Sequence, residues 1–342
     1  MTQHACFDSS AMRRTTSRAS STGAHRLLRR GVALLVALSL QAFARADMAP
    51  QCPPEPTPLD SHRVATGMRD AKDHGFLWRI RRDGHTSYLY GTIHAARADW
   101  MFPGPRTAAA LAASDTLALE LDVLDPDVQA RIAAALRRQG ATPLPPALEA
   151  RLERRLVAEC VDAAASRTVA PEFAVATLAV LAARRDGLHP AYAIDVVLAL
   201  VAHGLDKPTV SLETPEAQAA ALRMPNAAAT VEFVTSGLDE IESGRARPLL
   251  VRLARAWSTS DLAELESYEQ WCDCLHTAAE RDAMKRLLDD RNPALAAAIE
   301  ALHAGGGGVF AAVGSLHMVG PSALPALLAR RGFAVEPVRF DR

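Results

Sequence analysis

The 342-residue sequence predicts an α/β fold, a mixed β-sheet core flanked by helices with an Ala-rich helical middle. Three observations point there. Short β-type runs punctuated by Gly or Asp-Gly stand near both ends of the chain, at residues 77–81, 86–90 and 309–313. Long Ala/Leu-rich stretches with helical periodicity lie between them. Two of the runs end alike, in Gly91-Thr92-Ile93-His94 and Gly314-Ser315-Leu316-His317, which suggests two pseudo-symmetric strand–Gly-x-x-His units.

The first element falls outside that core. Arg26, Arg29 and Arg30 precede the apolar stretch 32–40, and Ala44-Arg45-Ala46 follows as a small-residue site. A basic flank, a short apolar run and an A-x-A end mark residues 1–46 as a secretory signal peptide. The run is too short to span a bilayer, so no stable membrane span is expected after cleavage, and a periplasmic or secreted location is. Residues 47–70 form a Pro-rich N-terminal segment, with the stretch from Cys52 to Pro58 as a tether, and residues 71–342 form the domain.

Within the domain, the strands 77–81 and 86–90 flank Asp83-Gly84, the composition of a hairpin turn. Residues 116–121 and 209–212 read as further strands. Residues 171–185 and 192–203 are apolar on most faces and predict buried helices, the second closed by Gly204 as a C-cap. Thr277-x-x-Glu280 is a capping box opening a helix that runs to about Asp290, and Asn292-Pro293 reads as an N-cap followed by Pro at the first helical position. The last unit is strand 309–313, its Gly-x-x-His turn, helix 322–331 and strand 333–338.

Removing residues 1–46 leaves 31 basic against 38 acidic residues, a net charge of −7, and no basic face is evident. That excludes nucleic acid as an expected partner. Cys52, Cys160, Cys272 and Cys274 remain, and an even count in an exported chain favours two disulfides. A Cys272–Cys274 bond would close a very small ring, so the two are expected to pair separately with Cys52 and Cys160. A metal-binding reading of the Cys-x-Cys lacks a second cysteine pair.

His94 and His317 lead the chemical reading. A neutral imidazole is a good ligand for zinc, manganese or cobalt and a natural general base, and open α/β sheets place ligands just past strand ends. Glycine at each strand end allows a sharp turn and leaves room for a ligand. The bland alternative is a turn histidine bonded to backbone. Glu120 lies near the end of the apolar strand 116–121 and Glu213 follows the strand 209–212. A carboxylate buried there needs a partner or a metal, so both are candidate bases or ligands, with a place on the strand's solvated face or tip as the plain alternative for Glu120. Arg291 suits orientation of a carboxylate or an anion. Asn292 is explained as a cap. Asp195, the lone acid in an apolar helix, calls for a buried partner. Gly305–Gly308 precedes a strand rather than opening a helix, so it is a turn and not a phosphate loop.

At these residues the sequence resembles the TraB/GumN family, which includes the Tiki-like metalloproteases. The resemblance rests on Tyr88-Leu-Tyr-Gly-Thr-Ile-His94, Leu117-Ala-Leu-Glu-Leu-Asp122, Gly204-Leu-Asp-Lys-Pro-Thr-Val-Ser-Leu-Glu-Thr214, Asp290-Arg-Asn-Pro and Val309-Phe-Ala-Ala-Val-Gly-Ser-Leu-His-Met-Val-Gly320, in that order. It implies an α/β fold whose Gly-x-x-His turns face one cleft. It also implies a divalent metal (Mn, Co or Zn) on His94 and His317, with Glu120, Glu213, Arg291 and Asn292 as catalytic residues. Where the family often has Gly before the helix Asp, this chain has Ala193-Ile194-Asp195.

Two functions follow as expectations. One is a metal-dependent hydrolase of peptidase type acting on a peptide or other small envelope substrate. The other is a non-catalytic envelope protein that captures a metal, haem or peptide in the same cleft. Catalysis differs in needing an open coordination position.

Overall fold

The computed structural model describes residues 52–341 apart from 59, 139–142, 163, 165–166 and 276. The signal-peptide reading therefore lies outside the described residues. Among those described, no helix is long and apolar enough to cross a membrane.

Six strands form one mixed sheet in the order β4-β3-β5-β2-β1-β6. They are β1 (Phe76–Arg82), β2 (His85–Thr92), β3 (Thr116–Leu119), β4 (Thr209–Ser211), β5 (Val309–Gly314) and β6 (Ala334–Val338). The hairpin β1–β2 turns at Asp83 and Gly84, with φ of 52° and 80°, so both residues of the two-residue loop are left-handed, as a primed turn demands. β5 is buried at every position and pairs in parallel with β3 on one side and β2 on the other. Its Ala311 and Ala312 are small enough for helices to close over both faces of the sheet. β4 pairs in parallel with β3, so β2, β3, β4 and β5 all end on the same edge.

Many of the connecting helices open on proline, whose fixed φ and missing N–H suit the first turn. Examples are Pro105–Ala112, Pro126–Ala135, Pro146–Ala158, Pro171–Leu181 and Pro215–Leu222. The helical middle packs a core of its own: Leu148, Leu152 and Leu156 meet Val175 and Leu178, and Val234, Leu238 and Ile241. Gly237 is needed there, since a β-carbon would stand 2.9 Å from Val175.

Several expectations need correction. β3 stops at Leu119 and leaves Glu120 just beyond the strand. The helix expected over 171–185 ends at Leu181, and that expected from 192 begins at Ile194. Gly204 is its last helical residue and not the cap; Leu205 caps it, and Asp206 takes the left-handed φ of 52°. The capping box at Thr277 is present, but its helix ends at Leu287. The Pro-rich segment contains a helix, Ser61–Asp70, capped by Asp60.

The cysteine pairing also differs from expectation. Cys52 bonds Cys160, and Cys272 bonds Cys274. Asp273 adopts a left-handed φ of 52°, which folds the short loop back and brings the two Cα atoms to 5.1 Å. The other pair spans 108 residues and ties the N-terminal segment to the helical middle. That segment is also held where the Thr57 N–H donates to the Tyr192 hydroxyl at 2.7 Å.

Candidate functional site

Four chemical groups follow four parallel strands along one sheet edge. In spatial order they are Glu213 after β4, Glu120 after β3, His317 after β5 and His94 after β2. The β-ladder continues past the strands, with the Glu213 N–H donating to the Glu120 carbonyl at 3.3 Å, so the two acids stand side by side. β5 sits between β3 and β2, which carries His317 into the gap between Glu120 and His94.

Arg291 holds the acids. Its guanidinium donates to Glu120 Oε2 at 2.5 Å, to Glu213 Oε2 at 3.1 Å and to Glu213 Oε1. Gln218, one turn into the helix that Thr214 caps, donates to Glu120 Oε2 at 3.2 Å and Glu213 Oε1 at 3.0 Å. Glu120 Oε1 accepts the Gly314 N–H at 2.7 Å. Burial opposes the Glu120 charge, yet its carboxyl is held down at about 2. A charged His317 ring would be the strongest influence lowering it, but that ring is neutral at neutral pH. We therefore attribute the shift there to His94, Arg291 and the Gly314 N–H. Burial raises the pKa of Glu213 against the pull of Arg291. Burial likewise opposes the Arg291 charge, and the two glutamates outweigh it.

Asn292 is not the helix cap that its Asn-Pro context suggests. It is the first residue of the helix Asn292–Ala304 and is fully buried. Its Nδ2 donates to the carbonyls of Ser322 at 2.9 Å and His317 at 3.3 Å. That leaves Oδ1 to accept from His317 Nδ1. The amide orientation fixes the tautomer: His317 carries its proton on Nδ1 and presents the Nε2 lone pair, which accepts from Arg291 Nη1 at 3.3 Å. Burial lowers the His317 pKa to about 4, so the ring is neutral.

His94 is treated in the opposite way. Its side chain is 57% exposed, and Nδ1 faces Asp195 Oδ1 at 3.4 Å. The Asp195 carboxylate raises its pKa to about 9, while solvent at the open face of the ring screens the pair. Asp195 is thereby given the partner its apolar helix called for. Its turn is anchored by the Ile194 N–H, which donates to the Ile93 carbonyl at 3.1 Å, and by Trp257 Nε1, which donates to the Gly91 carbonyl at 2.8 Å.

The two glycines serve close approach rather than sharp turning. Gly314 has a φ of −50°, open to any residue. A β-carbon on Gly91 would lie 3.3 Å from Ser315 and Met318 of the other turn. One on Gly314 would lie 3.2 Å from Glu120 Oε1, 3.5 Å from His94 Nε2 and 3.7 Å from the His317 ring. The missing side chain thus leaves a cradle that both histidines and one acid face. The turns are not otherwise alike, since Ser315–Met318 is a 3-10 turn and His94 lies in an irregular loop.

The six candidate site residues His94, Glu120, Glu213, Arg291, Asn292 and His317 meet at this edge, with Asp195 beside His94. Gln218 was missed, because an amide in an Ala-rich helix carries no local signal. Among the described residues, no three His, Cys, Asp or Glu side chains already stand in a metal-holding cluster. The donor types around the cradle nonetheless suit a divalent ion once His94 gives up its proton and Arg291 Nη1 releases the His317 Nε2 lone pair: two imidazoles and a carboxylate, with the His317 tautomer already fixed.

No curated protein and no solved structure matches the chain. The model of the TraB/PrgY/gumN family matches residues 76–337, which takes in all but the last residue of the sheet and the six residues His94, Glu120, Glu213, Arg291, Asn292 and His317. The chain belongs to the TraB/PrgY/gumN family.

Proposed function

We propose that this chain is an exported, metal-dependent hydrolase of peptidase type, acting on a peptide in the cell envelope. The observation that carries the reading is the cradle at Gly314, faced by His94 Nε2, Glu120 Oε1 and the oriented ring of His317. His94, His317 and Glu120 would hold the ion. A divalent ion there would polarise a scissile carbonyl and ease the deprotonation of water.

The chain's own groups take the remaining roles. Glu120, kept ionised, supplies negative charge at the cradle. Glu213, whose pKa burial raises while that of Glu120 is held down, is the better placed of the two acids to accept a proton. Arg291 and Gln218 fix the separation of the two carboxyl groups. Asn292 keeps the His317 lone pair on Nε2, where Arg291 Nη1 donates to it, and Asp195 faces His94 Nδ1.

A second reading has its own support. Every oxygen of Glu120 and Glu213 is already engaged by Arg291, Gln218 or Gly314, so no base stands free in this arrangement. A protein that captures a metal, haem or peptide without turnover suits that saturation.

Metal analysis of the purified protein and of His94→Ala and His317→Ala tests the site. Bound Mn, Co or Zn should fall in both variants, and no fall in either overturns the shared metal site. Peptide cleavage that persists in the double variant overturns the mechanism, and metal retention without cleavage by the wild type favours capture.

A further inference from the structure

The four cysteines form two disulfides of very different character, and one of them suits chemistry of its own. We propose that Cys272–Cys274 is a redox-active site that undergoes thiol–disulfide exchange with dithiols, while Cys52–Cys160 is structural. The proposal does not depend on the cleft or on what it binds.

Three observations carry it. The first is loop length. Cys272 and Cys274 are two residues apart in sequence, whereas Cys52 and Cys160 are separated by 108. A bond and a fold stabilise each other equally, and closing a long loop removes far more freedom from the unfolded chain than closing a short one. The fold therefore supports the long-range bond strongly and the Cys-x-Cys bond weakly.

The second is backbone conformation. The short ring holds Asp273 at a φ of 52°, a region that a residue with a β-carbon visits at a cost. Opening the ring frees Asp273 from that constraint, which favours the dithiol form.

The third is the setting of the two sulfurs. Cys272 is 5% exposed, Asp273 is exposed and Cys274 is half-buried, so Cys274 is the more open of the two to an incoming thiolate. The Tyr268 hydroxyl lies 3.5 Å from Cys274 Sγ. Burial and Glu240 raise the Tyr268 pKa to about 12, so the hydroxyl keeps its proton and can donate to a departing thiolate. The helical turn Tyr268–Trp271 leads straight into Cys272, whose N–H donates to the Tyr268 carbonyl at 2.9 Å, and that platform is braced. Tyr268 packs edge-on against Trp271 at 5.1 Å, Trp271 Nε1 donates to the Glu264 carbonyl at 2.8 Å, and Arg252 stacks on Trp271 at 4.2 Å. That platform keeps Cys272 in place when the bond is open, ready to re-form it.

The exchange balances as follows. One thiolate of the external dithiol attacks Cys274 Sγ, the Cys272–Cys274 bond breaks, and Cys272 leaves and takes up a proton. The second thiol of the reagent, as its thiolate, then attacks the reagent's own bonded sulfur. Cys274 leaves as a thiolate beside Tyr268 and is protonated. Two electrons pass to the protein, and the reagent closes to a cyclic disulfide.

Whole wild-type protein in buffers of graded reduced-to-oxidised dithiothreitol, quenched by alkylation and mapped by peptide mass spectrometry, tests this directly. Cys272–Cys274 should be half reduced at a ratio at least about tenfold lower than Cys52–Cys160, with the folded circular-dichroism spectrum retained, and should re-form when reductant is removed. Asp273→Gly removes the conformational cost and should make the bond several-fold harder to reduce. Tyr268→Phe should slow exchange several-fold with little change in the midpoint. Coincident reduction of both pairs, earlier reduction of Cys52–Cys160, opening only on unfolding, or purification with both thiols free would each overturn the proposal.

Discussion

His94 and His317 end neighbouring parallel strands in one four-residue pattern, yet the protein treats them as opposites. His317 is buried, neutral and pinned by Asn292 on one nitrogen and Arg291 on the other. His94 stands at the rim, more than half exposed, and is kept protonated by Asp195. Two imidazoles with pKa values pushed apart are what acid–base chemistry asks of a site. The shared motif decides where each ring sits, and its distant neighbours decide what it can do.

The sharpest way to break this contrast is on the buried side. Arg291→Met should leave Glu120 and Glu213 facing each other without a counter-charge and cost about 3–5 kcal/mol in urea unfolding. Adding Glu120→Gln and Glu213→Gln should restore much of it. A loss below about 1 kcal/mol would mean that the buried network is not as described.

Protonation gives the next largest effect. In metal-free protein the folded-state pKa of His317 lies at about 4, below its ordinary 6.5. The folded state then binds fewer protons between those values, and stability falls as pH drops through that window, by up to about 3 kcal/mol. His94 has the opposite sign. With a folded pKa of about 9, its contribution is present below 6.5 and is lost as pH rises toward 9, reduced by solvent screening of a half-exposed ring. Imidazole proton shifts that titrate together near 6.5 would abolish the contrast.

Removing the group that positions the buried ring, and the rim ring itself, refines it. Asn292→Ala should cost about 1–3 kcal/mol, because a buried carbonyl, a half-buried one and a ring N–H lose their partner. If an ion binds, the same change should weaken uptake about 10–100-fold by titration calorimetry. His94→Ala should change stability by less than about 0.5–1 kcal/mol, since only a screened rim contact is lost. Equal stability losses for the two substitutions would show that rim and interior are not distinct.

Much of this edge was legible before the structure. Apolar runs ending in Gly-x-x-His or in a glutamate located the four strand ends, because burial pattern and turn chemistry are local properties. Asp195 could be expected to have a partner, since a lone acid in an apolar helix is costly. The order of the strands was not legible, because inserting β5 between β2 and β3 depends on packing across the whole chain. Asn292 was misread for the same reason: Asn-Pro reads locally as a cap, while its partners His317 and Ser322 lie 25 and 30 residues away. The Cys272–Cys274 bond was discounted on ring size, which a single left-handed residue overcame.

Gly314 sets the room among the site's groups by one carbon. Every group facing it comes from a different strand end, so no single ligand can be moved without disturbing a strand, yet the space between them can be closed by one methyl. Gly314→Ala would place that methyl 3.2 Å from Glu120 Oε1 and 3.5 Å from His94 Nε2, with both histidines and both glutamates still present. The substitution acts as a plug, separating a protein that has lost its ligands from one that has lost only the room for a guest.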